Sequence, residues 1–191
     1  MELNEFIEQF NERYPDVDRN EVATEEMITE YEDKLGYPLP TSYKEFLLNF
    51  SNGMFFLDCE PILGVGNHTS CGDILPVNRI LPDVPDKVLI TETNENIECT
   101  RLISFTGFNA GELSNDHWVF ICEDDIENNE YRVGYISQSS PKIVKVLSNF
   151  KEWLTILWEQ DVEDEVLRPV FHLLYPAFEQ RSELLYDWWN E

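Results

Sequence analysis

The chain has 191 residues, of which 42% are hydrophobic and 13% aromatic, and its 38 Asp and Glu against 13 Lys and Arg give a formal net charge of -25. This length fits one domain with enough apolar surface for a core, which argues against wholesale disorder. Because binding to phosphates requires protein cations, the charge disfavours nucleic acid and anionic membranes as ligands. It would attract a basic protein, although acidity alone also serves solubility.

The first residues contain no basic segment ahead of an apolar run, and no stretch approaches the ~20 apolar residues that span a bilayer. We therefore expect a cytoplasmic protein. Its four cysteines contain no CxxC pair and are expected to be reduced thiols without a disulfide: Cys59, Cys71, Cys99 and Cys122.

Apolar side chains at helical spacing predict three N-terminal helices, over residues 1–14, 24–35 and about 40–50. Thr24 is placed to cap the second helix, and Gly36 to end it. The start of the third helix is ambiguous. Pro40 suits a first helical position, whereas Ser42 and Glu45 would form a capping box.

From residue 54 onward, short runs of β-branched and aromatic residues alternate with turn residues, which predicts strands. The segment 67–85, with three prolines, is predicted as a long irregular loop. The last three strands read as an antiparallel meander. The predicted strands cover residues 54–57, 62–65, 87–90, 102–105, 118–122, 131–136 and 143–146.

Helical periodicity returns after Asn149, which is expected to form a capping box with Glu152. This order predicts an α+β fold with an antiparallel-rich sheet of about six strands and helices packed on it.

We expect one domain over residues 1–161 and a helical extension over 162–191 packed on the same domain. Trp188 and Trp189 in that extension have no assigned role. The predicted common core is Phe46, Leu47, Phe50, Trp118, Phe120, Trp153 and Leu157.

Residues 28–53 contain, in order, a helix ending in Leu-Gly, a Leu-Pro pair, a Tyr-x-x-Phe-Leu helix and an Asn-Gly turn: Leu35-Gly36, Leu39-Pro40, Tyr43 with Phe46-Leu47, and Asn52-Gly53. This pattern resembles the N-terminal signature of the SUKH superfamily, and matching pieces continue to about residue 158. That superfamily includes the fungal Smi/Knr cell-wall regulators and many bacterial immunity proteins, which block a toxin domain by occlusion.

The resemblance implies a non-catalytic binding protein, and most directly an immunity protein for a cognate basic toxin domain of nuclease type. An interaction scaffold related to cell-wall synthesis is the alternative within the family. The chain departs from the family where a Gly-Asp pair often precedes the central strand. Here Asn115-Asp116-His117 stands there, so any role of that acidic turn transfers only to Asp116.

Five carboxylates fall within the eight residues 123–130, where their mutual repulsion favours a cationic partner. Solvated turns are the ordinary explanation of such runs. A second acidic group contains Glu92, Glu95 and Glu98. With Asp116, the predicted partner-binding residues are Asp116, Glu123, Asp124, Asp125, Glu127 and Glu130.

A zinc site and a small Cys/His hydrolase are the disfavoured alternatives. Zinc would need ligands from Cys59, His68, Cys71, Cys99, His117 and Cys122, among which His68-x-x-Cys71 is the one short pair. A small hydrolase would use Cys71 with His68 or His117, but no helix is predicted after Cys71 to supply an oxyanion hole. We therefore expect no metal, no cofactor and no catalysis.

Overall fold

A computed structural model describes residues 1–17, 19–56, 60–66, 72–81, 83–106, 117–123, 129–137 and 140–162. The N-terminal part forms helices α1 (Leu3–Arg13), α2 (Glu25–Leu35) and α3 (Thr41–Asn49). The Thr24 side chain accepts a hydrogen bond from the Met27 N–H at 3.3 Å, and Gly36 ends α2 at φ 75°. The predicted cap and stop of the second helix are therefore confirmed.

A two-stranded ribbon follows α3 and consists of β1 (Met54–Phe56) and β2 (Glu60–Ile62). Within the described residues, the main sheet has seven strands: β3 (Leu75–Pro76), β4 (Lys87–Ile90), β5 (Glu95–Glu98), β6 (Leu102–Ser104), β7 (His117–Ile121), β8 (Arg132–Ser137) and β9 (Ser140–Leu147). Their spatial order is β3-β6-β7-β8-β9-β4-β5. All neighbours are antiparallel except β4 and β9, which run parallel. The predicted meander of β7, β8 and β9 is confirmed.

Two predictions about the middle of the chain need correction. Residues 67–85 are not wholly irregular, because β3 and the short helix α4 (Val77–Ile80) lie within them. The predicted strand 62–65 ends at Ile62, and Gly64 instead makes an isolated bridge to Asp73. Strand β3 forms through pairing with β6, and the bridge joins single residues, so local periodicity reports neither.

The sheet was expected to have about six strands, and β5 was not predicted. Its residues are mostly polar, and Ile97 is the one apolar side chain, so the alternation that marks a half-buried strand is weak. The strand exists because it pairs with β4 across a four-residue turn in which Asn94 adopts φ 59°. A 3-10 turn, Cys99–Arg101, then leads into β6.

The last described helix is α5 (Phe150–Val162), and the side chain of Asn149 accepts a hydrogen bond from the Glu152 N–H at 2.9 Å. Glu152 in return accepts from the N–H of Ser148 at 2.6 Å, which is one residue before the position expected for a capping box. The predicted extension over 162–191 stays a prediction, because residues 163–191 lie outside the described part of the chain.

Alternate side chains of the strands point to two separate cores. On one face, strand residues such as Trp118 and Phe120 pack with residues of α1, α2, α3 and α5. On the other face, Val119 and Ile121 pack with residues from β4, β9 and α4. All seven predicted core residues lie in the helix-side cluster, so the predicted common core is confirmed.

Candidate partner-binding surface

The connection between β7 and β8 carries five of the six predicted binding residues. The structure describes the two near its ends, Glu123 and Glu130. The other predicted binding residues, including the one ahead of β7, lie outside the described residues: Asp116, Asp124, Asp125 and Glu127.

Glu123 forms an ion pair with Arg132, the first residue of β8. Its carboxylate accepts hydrogen bonds from the Arg132 Nε at 3.2 Å and from Nη2. The guanidinium also reaches the Glu95 carboxylate of β5 at 3.5 Å. Hydrogen bonding to Glu123 raises the pKa of Arg132, with the nearby Glu95 acting in the same direction. One cation thus holds two carboxylates, one on β5 and one in the β7–β8 connection.

Glu130 binds the first turn of α3 from 88 residues away in the sequence. Its carboxylate accepts hydrogen bonds from the Ser42 N–H and the Ser42 hydroxyl, each at 2.7 Å. The residue at the helix N-cap, Pro40, provides no side-chain cap, so Glu130 satisfies an N–H that the helix itself leaves free. A carboxylate there also complements the positive end of the helix dipole. The helix begins at Thr41, and Ser42 pairs with Glu130 rather than acting as the cap of a capping box with Glu45.

These contacts indicate that Glu123 and Glu130, the two described binding candidates, stabilise the fold. Glu123 ties the beginning of the β7–β8 connection to β8, and Glu130 ties its end to α3. Neither Ser42 nor Arg132 was predicted to be involved, and no sequence signal marks either pairing. The binding role of the acidic segment therefore rests on Asp124, Asp125 and Glu127, and it stays a prediction.

Many of the described cations are already paired with carboxylates. The ion pairs are Lys34–Glu30, Lys44–Glu32, Lys87–Glu98, Lys145–Glu92, Lys151–Glu2, and Arg132 with Glu95 and Glu123. Apart from the Arg132–Glu123 pair, their N···O distances range from 2.7 to 3.5 Å. Since carboxylates outnumber cations 38 to 13, this pairing leaves a surface dominated by unbalanced negative charge.

The Asn-Gly turn after α3 is held by backbone contacts. The Asn52 side chain donates to the Val65 carbonyl and accepts from the Val65 N–H, both at 2.8 Å. Gly53 has φ 77°, and a Cβ there would lie 2.9 Å from the backbone nitrogen of Gly64. Tyr43 of α3 donates its hydroxyl to the Leu63 carbonyl at 2.6 Å. These residues determine the fold and carry no reactive chemistry.

The described cysteines and histidine lie in the interior. Burial raises the pKa of Cys122 to about 12 and also raises the pKa of Cys99, so both thiols stay protonated and poorly nucleophilic. His117 is 1% exposed, with its Nδ1 3.1 Å from the Thr106 carbonyl oxygen. Across the described ranges, no group of three His, Cys, Asp or Glu is placed to hold a metal. The remaining candidates, Cys59, His68 and Cys71, lie outside those ranges.

The described part of the chain is thus an α+β protein in which helices pack on a mixed seven-stranded sheet. Glu123 and Glu130 anchor the two ends of the β7–β8 connection, which carries the candidate surface. Residues 22–156 match the SMI1 / KNR4 family (SUKH-1), and the chain belongs to that family. A search of curated proteins found no match. None of the helices in the described part is long and apolar enough to cross a bilayer.

Proposed function

We propose that this chain is a non-catalytic immunity protein that binds a cognate basic toxin domain of nuclease type and blocks its active site by occlusion. Its place of action would be the cytoplasm, where its cysteines stay reduced. Membership of the SMI1/KNR4 family supports a binding role, and the SUKH superfamily that the sequence resembles includes bacterial immunity proteins. The observation that carries the proposal for this chain is its net charge of -25.

A nuclease-type toxin presents cations where its nucleic-acid substrate binds. A strongly acidic protein reproduces the charge of that substrate, so long-range attraction increases the rate of encounter. The ion pairs of the described residues support this reasoning, since at least six of the eleven Lys and Arg that the structure describes are paired with carboxylates. This pairing reduces the positive charge that would repel a basic partner.

The segment with Asp124, Asp125 and Glu127 is the contact region that we propose, and Asp116, which precedes β7, is a separate candidate. The connection that contains it is anchored at both ends, by Glu123 to Arg132 and by Glu130 to Ser42. Fixed ends reduce the conformational entropy that a loop loses on binding. Because the two anchors stabilise the fold, a test of binding should leave them unchanged.

The test is co-expression with the toxin domain encoded by the neighbouring gene, scored by rescue of growth. Association and dissociation rates of the purified pair are then measured at two salt concentrations. We expect added salt to slow association more than it speeds dissociation. Absence of rescue would show that immunity is the wrong function, and would favour the scaffold alternative.

The variant that locates the surface changes Asp124, Asp125 and Glu127 to Lys. The matched control changes Glu5, Glu8 and Glu12 to Lys on the exposed side of α1, which alters the net charge equally. We expect the loop variant to lower the association rate about tenfold or more relative to that control. Equal losses in both variants would mean that overall charge, and not this segment, attracts the partner.

A further inference from the structure

The two borders of the seven-stranded sheet differ in their capacity to accept another strand. The border strand β3 has two residues and ends in Pro76, which has no N–H to donate. The opposite border strand, β5, has four residues and no proline, and within the described part of the chain it pairs only with β4. One border is therefore blocked and the other is able to continue the hydrogen-bonded ladder.

The register shows which backbone groups of β5 face outward. The Cys99 N–H donates to the Asp86 carbonyl at 2.8 Å, directly beyond the β4–β5 ladder. In an antiparallel ladder, residues that bond to the neighbour alternate with residues that do not. Ile97 lies two residues before Cys99, so its backbone groups also bond to β4. Asn96 and Glu98 consequently direct their N–H and C=O groups away from β4, toward the outer side.

The side chains of β5 set the chemistry that an added strand would meet. Glu95 and Glu98 are exposed on the outermost strand, and the cations that pair with them stand behind it on β4 and β8. Lys87 lies 3.2 Å from Glu98, and Arg132 lies 3.5 Å from Glu95. Arg132 also pairs with Glu123, so three carboxylates, Glu95, Glu98 and Glu123, share two cations. A strand beside β5 would therefore contact carboxylates before cations.

We propose that β5 accepts an antiparallel strand from a basic partner, which extends the sheet. The identity of that partner as a toxin rests on the proposed function, whereas the strand chemistry rests on β5 itself. A second copy of this chain is disfavoured as the occupant, because it would bring another charge of -25 and the same carboxylates to the border. The fitting strand has a cation opposite Glu95, a cation opposite Glu98 and an apolar residue opposite Ile97.

The probe is a capped hexapeptide, Thr-Lys-Val-Thr-Lys-Thr, in which the first lysine falls opposite Glu98 and the second opposite Glu95. It is titrated into the full-length 15N-labelled protein. We expect chemical-shift changes and slower hydrogen exchange at the Asn96 and Glu98 amides. The Ile97 amide, already bonded to β4, should be protected with or without peptide. No change at the two outward amides at millimolar peptide would overturn the proposal.

Two controls separate strand pairing from simple charge attraction. The first is the same peptide N-methylated at the lysine opposite Glu98 and the threonine opposite Asn96, which keeps the charge but loses two donors. It should bind about five- to tenfold more weakly. The second is Asn96→Pro, which removes an outward N–H and leaves the bonds to β4, compared with Asn96→Thr, which retains the N–H. Only the proline variant should weaken binding to a similar extent.

Equal affinity for the two peptides, or equal affinity of Asn96→Pro and Asn96→Thr for the unmethylated peptide, would show that charge attraction alone accounts for binding. Either result would contradict the proposal of strand addition. Protection of the Ile97 and Cys99 amides in Asn96→Pro verifies that its β4–β5 pair is intact. The growth assay is independent of these measurements. Rescue by Asn96→Pro at the wild-type level would exclude β5 as the toxin contact while leaving immunity in place.

Discussion

Removing the Glu130 carboxylate should destabilise the protein through the start of α3. Ser42 is 2% exposed, so in Glu130→Ala its backbone N–H and hydroxyl lose their acceptor in a nearly dry environment. Hydrogen bonds to charged groups contribute about 1.5–3 kcal/mol each, and a lost helix cap costs about 0.5–2 kcal/mol. Glu130 itself is only partly buried, and water can replace part of the loss. We therefore expect a decrease of about 2 kcal/mol in the free energy of unfolding.

The assay is urea unfolding followed by tryptophan fluorescence, together with a thermal melt. For a chain of this length, a loss of about 2 kcal/mol corresponds to a Tm lower by roughly 4–8 °C. Glu130→Gln retains one acceptor oxygen and should lose about half as much. Glu8→Gln, on the exposed side of α1, is the matched control and should be neutral within about 0.5 kcal/mol.

A double-mutant cycle with Ser42→Ala decides whether the effect belongs to this contact. Ser42→Ala removes the hydroxyl but keeps the backbone N–H, so a coupling of about 1 kcal/mol with Glu130→Ala is expected. Additive effects, or a Glu130→Ala variant as stable as the Glu8→Gln control, would refute the conclusion that Glu130 caps α3.

Three further predictions concern other parts of the described structure. Glu123→Gln should cost about 0.5–1 kcal/mol in urea unfolding, and the cost should shrink in high salt, since its partner Arg132 is partly exposed. Gly134→Ala should cost about 1–3 kcal/mol, because the added Cβ would lie 2.9 Å from Ile143 Cγ2; combining it with Ile143→Ala should cost less than the sum. Cys122 should resist iodoacetamide at pH 8.5 in the native protein, as located by mass spectrometry. Because its pKa of about 12 exceeds the unfolded value of about 8.5, the thiol's contribution to stability is complete below pH 8.5 and is lost as pH rises toward 12, a decline that should be shallower in Cys122→Ala.

Most of the helical framework and the central meander were predictable from the sequence, because their signals are local. Thr24 and Gly36 mark the ends of α2 through capping chemistry that involves only near neighbours. Strands β7 and β8 are long enough for their runs of β-branched and aromatic residues to be visible, and Trp118 and Phe120 lie in the core as predicted. The net charge, which needs no structure, is the basis for predicting a basic partner, and that partner stays a prediction.

The tertiary structure alone decided the features that depend on distant pairing. The polar strand β5 forms because β4 pairs with it, and β4 joins the sheet through a parallel contact with β9, more than 50 residues further along the chain. The carboxylates of Glu123 and Glu130 look alike in the sequence, yet one neutralises Arg132 and the other caps α3 from 88 residues away. Local composition does not report such contacts, because a carboxylate's role depends on the donors that folding brings to it.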